Sequence, residues 1–279
     1  MKCFYHSADL DGHCSGALVK RFFPLCETIG INYGQDFPWE SIEAGERVFM
    51  VDFSLQPFTD MIKLRGMCDL TWVDHHETAI SEARKNDFIV DGKLAIGIAG
   101  CELVWRYLYP KDPVPRAVYL LGRYDVWDHE DEDALPFQYG MRQYTNTFPD
   151  NTGFWEEVLT HNYLWEKIAD TGRTLLSYEA AQNEKFCRAY SFETNFNGFT
   201  GICANRGFTN SKVFDSVYDP EKHHMMITFC RLKLPAKKWT VSLYSTRGDV
   251  NCGDVAKLFG GGGHKGAAGF QCDKLPFEF

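Results

Sequence analysis

The sequence predicts an α/β protein: a doubly wound, mainly parallel sheet in an N-terminal domain, then a smaller α/β C-terminal domain, joined by a helical linker. Three observations lead there. Short apolar runs alternate with helix-patterned segments in the first half of the chain, as βαβ units require. Several of those runs end in acidic residues. After about Ser191 the texture turns β-rich and closes on a glycine run. The chain has 279 residues, 44% of them hydrophobic, enough for one large domain or two modest ones.

The first run, KCFYH (2–6), is short and apolar, as a strand buried on both faces should be. It leads into His6, Asp9 and Asp11, and SGALVKRFF (15–23) follows with Ala17, Leu18, Arg21 and Phe22 at helical spacing. RVFMVDF (47–53) is a second strand, with Asp52 near its end. PFTDMIKLRGM (57–67) is helical, and LTWVDHH (70–76) is a third strand ending in Asp74, His75 and His76. CELVWRYLYP (101–110) reads as a helix stopped by Pro110, and PRAVYLLGRYDVWDH (115–129) as a helix entering a loop that carries Asp125, Asp128 and His129. Residues 155–190 contain few breakers and predict one or two long helices. GFTGICAN (198–205), HMMITFCRL (224–232) and KWTVSLYST (238–246) predict strands, and GDVAKLF (253–259) a short helix before GGGGHKGAAGF (260–270). The expected domains are therefore 1–154 and 191–279, with 155–190 as the linker.

Composition narrows the function. A net charge of −9 argues against tight binding to long duplex DNA. From Asn195 onward there are 11 Lys and Arg against 7 Asp and Glu, whereas the first 194 residues carry 18 against 31. An acidic body that collects cations and a mildly basic tail that grips an anion suit this division. No run approaches the roughly 20 apolar residues of a membrane span, so no membrane partner is expected. The opening MKCFYHSADLDG turns acidic too early for a secretory signal, and ten cysteines without a CxxC pair read as reduced thiols; both predict a cytoplasmic protein.

In doubly wound sheets, ligands collect outside the carboxyl ends of the strands. His6, Asp9, Asp11, Asp52, Asp74, His75, His76 and Asp125 all fall at or after such ends. A thiol-free, carboxylate-rich set with a few imidazoles suits Mn²⁺ or Mg²⁺ better than structural zinc. So many acids in one crevice repel one another, and two divalent ions would neutralise most of that repulsion. Paired metals about 3.5–4 Å apart serve phosphate-ester hydrolysis. The glycine run raises a second site. Gly260 to Gly263 could bring backbone N–H groups close to an anion, with His264, Lys265 and Arg247 as side-chain donors. It is not a Walker loop, because the GKS/T ending is missing.

In this order, HxxDxDG (6–12), VDxS (51–54), VDHH (73–76), a downstream Asp, then GGGH with GAAGF, the chain resembles the DHH phosphoesterases. It is most similar to members with a DHH-associated C-terminal domain: nano-RNases that also dephosphorylate phosphoadenosine phosphate, a single-strand-specific exonuclease, and cyclic dinucleotide phosphodiesterases. The resemblance implies that His6 and Asp9 hold one Mn²⁺, that Asp11, His75 and Asp125 hold the other, and that Asp52 bridges them. Asp74 and His76 would orient ligands or contact the scissile phosphate. Gly261, Gly262, Gly263 and His264, with Arg247 and Lys265, would hold a substrate phosphate, the site lying in a cleft between the domains. For the downstream Asp, both Asp125 and Asp128 remain open. The pyrophosphatase branch has a different C-terminal domain, so pyrophosphate is not the expected substrate. The expected activity is an Mn-dependent phosphodiesterase, an exonuclease on short single-stranded oligonucleotides that also removes a terminal phosphate from bisphosphonucleotides. Cyclic dinucleotides or their linear products are the alternative, and a non-catalytic nucleotide-binding module is the alternative of another class. The family often forms homodimers. Phe208, Phe214 and Tyr218 of the tail are candidates to stack a base, although aromatics are chiefly core material.

Overall fold

A computed structural model describes residues 1–128, 130–233 and 237–278. His129 lies outside them. The chain divides into two compact units, Met1–Leu175 and Leu176–Phe279.

The first unit begins with β1 (Lys2–His6), α1 (Leu10–Phe22) and β2 (Glu27–Ile31), then β3 (Arg47–Val51), α2 (Thr59–Met67), β4 (Asp69–Asp74), α3 (Glu77–Lys85) and β5 (Asp91–Leu94). The five strands form one parallel sheet in the order β2-β1-β3-β4-β5. Both faces are covered, which is why the central strands read as unbroken apolar runs. Side chains alternate between the two layers. Cys3, Tyr5, Phe49 and Val51 pack with Leu18 of α1 in one core. Phe4, Val48, Met50 and Trp72 pack with Met61 and Leu64 of α2 and Ala79 of α3 in the other. The first core also takes residues of α4 (Gly100–Leu108) and α5 (Arg116–Asp125), among them Leu103 and Leu121. α6 (Ala134–Met141) and α7 (Thr152–Thr160) follow.

Helix α8 (Asn162–Tyr190) spans the division between the units. Residues 155–190 thus supply most of α7 and all of α8. The second unit continues with β6 (Ser191–Phe196), β7 (Phe199–Asn205), β8 (Met225–Arg231), β9 (Trp239–Tyr244), α9 (Cys252–Lys257), β10 (Gly262–Gly263) and β11 (Ala267–Cys272). These strands form a mixed sheet, β10-β11-β9-β8-β7-β6, in which β7 and β8 are parallel. Phe196, Ile227, Val241, Leu243 and Phe270 fill its core. No helix among the described residues is long and apolar enough to cross a membrane.

The fold class agrees with the sequence reading, but two local details differ. Helix α1 begins at Leu10, not near Ser15, because Asp9 caps it: the Asp9 carboxylate accepts from the Gly12 N–H at 2.9 Å. Asp11 and Gly12 therefore lie in the first helical turn. The glycine run is also not an open loop. Gly260 sits at φ +76° and ends the helical segment in a Schellman arrangement, its N–H on Lys257 O at 3.1 Å and that of Gly261 on Ala256 O at 3.0 Å. Gly262 and Gly263 then pair with Gly269 and Ala268. The N–H groups of Gly260 and Gly261 are spent inside the fold, so the expectation of a freely available run of amides is corrected.

The start of α1 passes so close to the end of β1 that a Cβ on Gly12 would stand 1.9 Å from the His6 carbonyl oxygen. Replacement by Gly12→Ala is expected to cost on the order of 3 kcal/mol or more, the range for forced backbone displacement in a packed site. A urea melt reads this directly; an unchanged midpoint would show that the turn yields without strain.

Candidate metal centre

Strand order places the site. β1 is flanked by β2 on one side and β3 on the other, so the chain reverses direction across the sheet between β1 and β3. A crevice opens at the carboxyl ends there. His6 is the last residue of β1, Asp52 follows β3, and Asp74 ends β4 with His75 and His76 after it. Parallel, adjacent strands thus bring residues separated by tens of positions to one edge.

Three overlapping groups of side chains could hold a metal ion: His6, Asp9 and Asp52; Asp11, His75 and Asp125; and Asp52, His75 and His76. Within each, the ligating atoms lie within 4.8 Å of one another. His6 Nδ1 is 2.8 Å from Asp9 Oδ2 and 3.7 Å from Asp52 Oδ2. His75 Nε2 is 3.2 Å from Asp52 Oδ1, 3.3 Å from Asp125 Oδ2 and 3.6 Å from Asp11 Oδ2. Close as they are, the buried atoms His6 Nδ1 and Asp52 Oδ1 make no hydrogen bond with acceptable angles among the described residues. Lone pairs that converge without bonding to each other fit a shared cation. The donor set, oxygen-rich and free of thiolate, fits a hard divalent ion.

Each ligand is held by its own local device. Asp52 adopts φ +52°, a left-handed conformation uncommon for a residue with a side chain. Its N–H still bonds to Val73 O at 2.9 Å, so the backbone turns only beyond that ladder bond. Gly100 passes against it, where a Cβ would lie 2.7 Å from Asp52 Cβ. Asp11 is buried and accepts from the N–H groups of Gly100 and Cys101 at 2.8 and 2.7 Å, at the start of α4. Those amides leave its orientation fixed and favour negative charge. Asp74 is fully buried; its Oδ1 accepts from the backbone N–H groups of His75 and His76, at 2.7 and 3.1 Å, and from His76 Nδ1 at 2.7 Å. Because a carboxylate only accepts, the proton sits on His76 Nδ1 and Nε2 is presented to the crevice.

Of the two open candidates, Asp125 at the end of α5 reaches the His75 ring, whereas Asp128 beyond it pairs with Arg123. Arg123 donates to Asp128 at 3.0 Å and to buried Glu102 at 3.1 Å. The Gly100 and Cys101 amides and Glu102 carry no recognisable motif and lie some ninety residues from Asp11 in sequence. Tyr33 carries no motif signal either. Its ring lies 5.7 Å from that of His6 and 6.4 Å from that of His76.

In the second unit, Tyr244 pairs with Ala267, so the segments bearing Arg247 and His264 leave the same edge of the sheet. His264 and Lys265 are exposed. The Arg247 guanidinium is occupied by Asp249 at 2.7 Å and by the Pro220 carbonyl at 2.8 Å. Of the three tail aromatics, Phe214 is core, Tyr218 stacks on His223 and Phe208 is fully exposed.

Without a cation the cluster must take up protons. Burial and the neighbouring Asp52 carboxylate push Asp11 up to about 7. Burial and Asp11 push Asp125 up to about 7. Burial opposes charging His6 and His75, but Asp52 and its neighbouring acids outweigh it and push both up to about 10. The folded chain therefore keeps protons that the unfolded chain releases, from the ordinary carboxylate value of 3.8 up to about 7 and from the ordinary imidazole value of 6.5 up to about 10. Metal-free protein is expected to lose stability as pH rises through that whole window. Added Mn²⁺ or Mg²⁺ should raise the melting temperature more at pH 8 than at pH 5, since binding requires deprotonated ligands. Thermal melts with and without chelator check this; an equal ion effect at both pH values would count against ligation by these groups.

No protein-family model matches the chain. It is 25% identical over 262 residues to the uncharacterised protein R106 of Acanthamoeba polyphaga mimivirus, covering 88% of this chain and 59% of that protein's length. Among solved structures, the DHH domain of a member of a family of ribosomal proteins superposes with a TM-score of 0.57 at 14% identity, covering 96% of this chain and 81% of that one. The pGpG-specific phosphodiesterase PggH of Vibrio cholerae superposes with a TM-score of 0.54 at 12% identity, covering 97% and 92%. The chain has the DHH-type fold.

Proposed function

We propose that the chain is a divalent-cation-dependent phosphodiesterase that removes nucleotides from the ends of short linear oligonucleotides, with Mn²⁺ as its working ion and Mg²⁺ as a substitute. A terminal phosphate on a bisphosphonucleotide is a second substrate of the same chemistry. One observation carries the reading: Asp52 forms one group with His6 and Asp9, and its Oδ1 stands 3.2 Å from Nε2 of His75, which forms the neighbouring group with Asp11 and Asp125. An acid between neighbouring groups suits a pair of adjacent cations. The similarity in fold to a pGpG-specific phosphodiesterase supports a short linear substrate over a cyclic one. The net charge of −9 disfavours long strands.

When bound, paired divalent ions supply an activated water and a Lewis acid for the phosphoryl oxygens. The chain's own residues set the geometry. Asp52 lies between the two groups and keeps their spacing. Asp11, tied to two amides, cannot swing out as charge changes. Asp74 commits His76 Nδ1–H, leaving Nε2 for a phosphoryl oxygen or the departing oxygen. His264 and Lys265, at the end of the hairpin that Gly262 and Gly263 form, are proposed to take the terminal phosphate. Arg247 can join them only by leaving Asp249.

The test is turnover of pApA, a cyclic dinucleotide and a 3′,5′-bisphosphonucleotide with Mn²⁺, products read by mass. Asp52→Ala is expected to abolish hydrolysis, and Asp52→Asn to do so without straining the left-handed backbone. Both should exceed the roughly 10–100-fold loss expected for Asp74→Asn, which removes an orienting partner. His264→Ala should chiefly raise KM. Full activity of folded Asp52→Asn protein would remove the shared-ligand assignment.

A further inference from the structure

A second feature of the first unit extends this reading. A cavity of about 410 Å³ has Asp9 on its wall, the same acid that faces His6. Its other walls include Tyr124, Tyr144 and one face of α6 and its cap, Gln138, Met141 and Arg142. Tyr124 directly precedes Asp125. A cavity of this size is in the range of small-molecule sites and far larger than a lone phosphate needs.

Gln138 is the informative residue. It is 92% buried, by its relative exposure of 8%, yet among the described residues its amide has no hydrogen-bond partner. Its amide is not among the buried polar atoms left without a hydrogen bond, so the little exposure the residue has lies at the amide, where it lines the cavity. His13, on the same wall, is instead held within the fold: its ring nitrogens bond to Thr147 Oγ1 at 2.8 Å and Ser7 O at 3.1 Å. A carboxamide offers donor and acceptor side by side, the pattern that reads the edge of a nucleobase. Arg142 is exposed at the rim, its Nη2 donating to the Tyr124 hydroxyl at 3.1 Å and its guanidinium 4.3 Å over the Tyr139 ring. A cation held in that way, in an otherwise acidic unit, suits a phosphate.

We infer that this cavity binds a nucleoside of the substrate, its base lying against Tyr124 and Tyr144 and its edge read by the Gln138 amide, while Arg142 takes the adjoining phosphate. Asp9 then ties the base-binding wall to the metal centre, and the site selects a nucleotide rather than any phosphoester. This rests on the phosphodiesterase reading, and the test separates the two.

Gln138→Met keeps the shape and packing of the side chain and removes its amide; Gln138→Glu keeps an acceptor and removes the donor. Each would be compared with wild type, after a thermal melt, on pApA and on bis(p-nitrophenyl) phosphate, which has no base, with Mn²⁺. Expected is a loss in kcat/KM on pApA at least tenfold greater than on the base-free ester, with Arg142→Ala behaving alike. Parallel losses on both esters, or no loss on pApA, would overturn the inference while leaving the phosphodiesterase reading intact. Should wild type hydrolyse neither ester, that reading falls, and calorimetric titration with AMP decides the cavity. AMP binding weakened at least severalfold by Gln138→Met supports it; no binding, or equal binding by both proteins, overturns it.

Discussion

The mutual repulsion of carboxylates gathered at one sheet edge is the constraint around which the first unit is built. Asp9, Asp11, Asp52, Asp74 and Asp125 converge there with three imidazoles, and several are buried. Water cannot screen them, so the fold must answer each charge. It does so in different ways. Helix amides hold Asp11, backbone N–H groups and an imidazole hold Asp74, and a helix N-terminus holds Asp9. Asp52 receives the least help of the buried acids: its carboxylate accepts no hydrogen bond among the described residues, and only the His6 and His75 rings stand near it, at 3.7 and 3.2 Å. That imbalance fits a cation there. It also explains why Asp11 and Asp125, lacking one, are driven to hold protons near neutrality.

Much of this is legible in the sequence, because a parallel sheet turns local signals into spatial ones. Unbroken apolar runs identify β1, β3 and β4, and the rule that ligands gather at carboxyl ends brings His6, Asp52 and Asp74 to His76 together from residue order alone. What escapes has a common physical cause. The amides of Gly100 and Cys101 act through backbone, which the residue type does not reveal. That Asp125 rather than Asp128 stands beside His75 goes with the Arg123 contacts to Asp128 and Glu102, which join residues on different elements. Strands β2 and β5 are sheet edges with exposed or polar residues, so they lack the apolar signature of the central ones. The glycine run misleads for the opposite reason. Gly permits an open loop, but it equally permits the left-handed helix end and tight hairpin that Gly260 and Gly263 adopt.

The two units divide the electrostatic labour. The acidic one holds every group able to coordinate a cation in the sets described here, together with a cavity lined in part by Gln138. The mildly basic one presents His264 and Lys265 at a sheet edge. Tight local bonding of Arg247 to Asp249 shows that a basic residue near a glycine motif is not automatically available to a ligand: the salt bridge must be given up first.

Among the described residues, all the side chains in the groups that could hold a metal ion come from residues 6 to 125, within the first compact unit. The candidate metal centre thus takes no ligand from the second unit. A change confined to the second unit would leave those groups as they are.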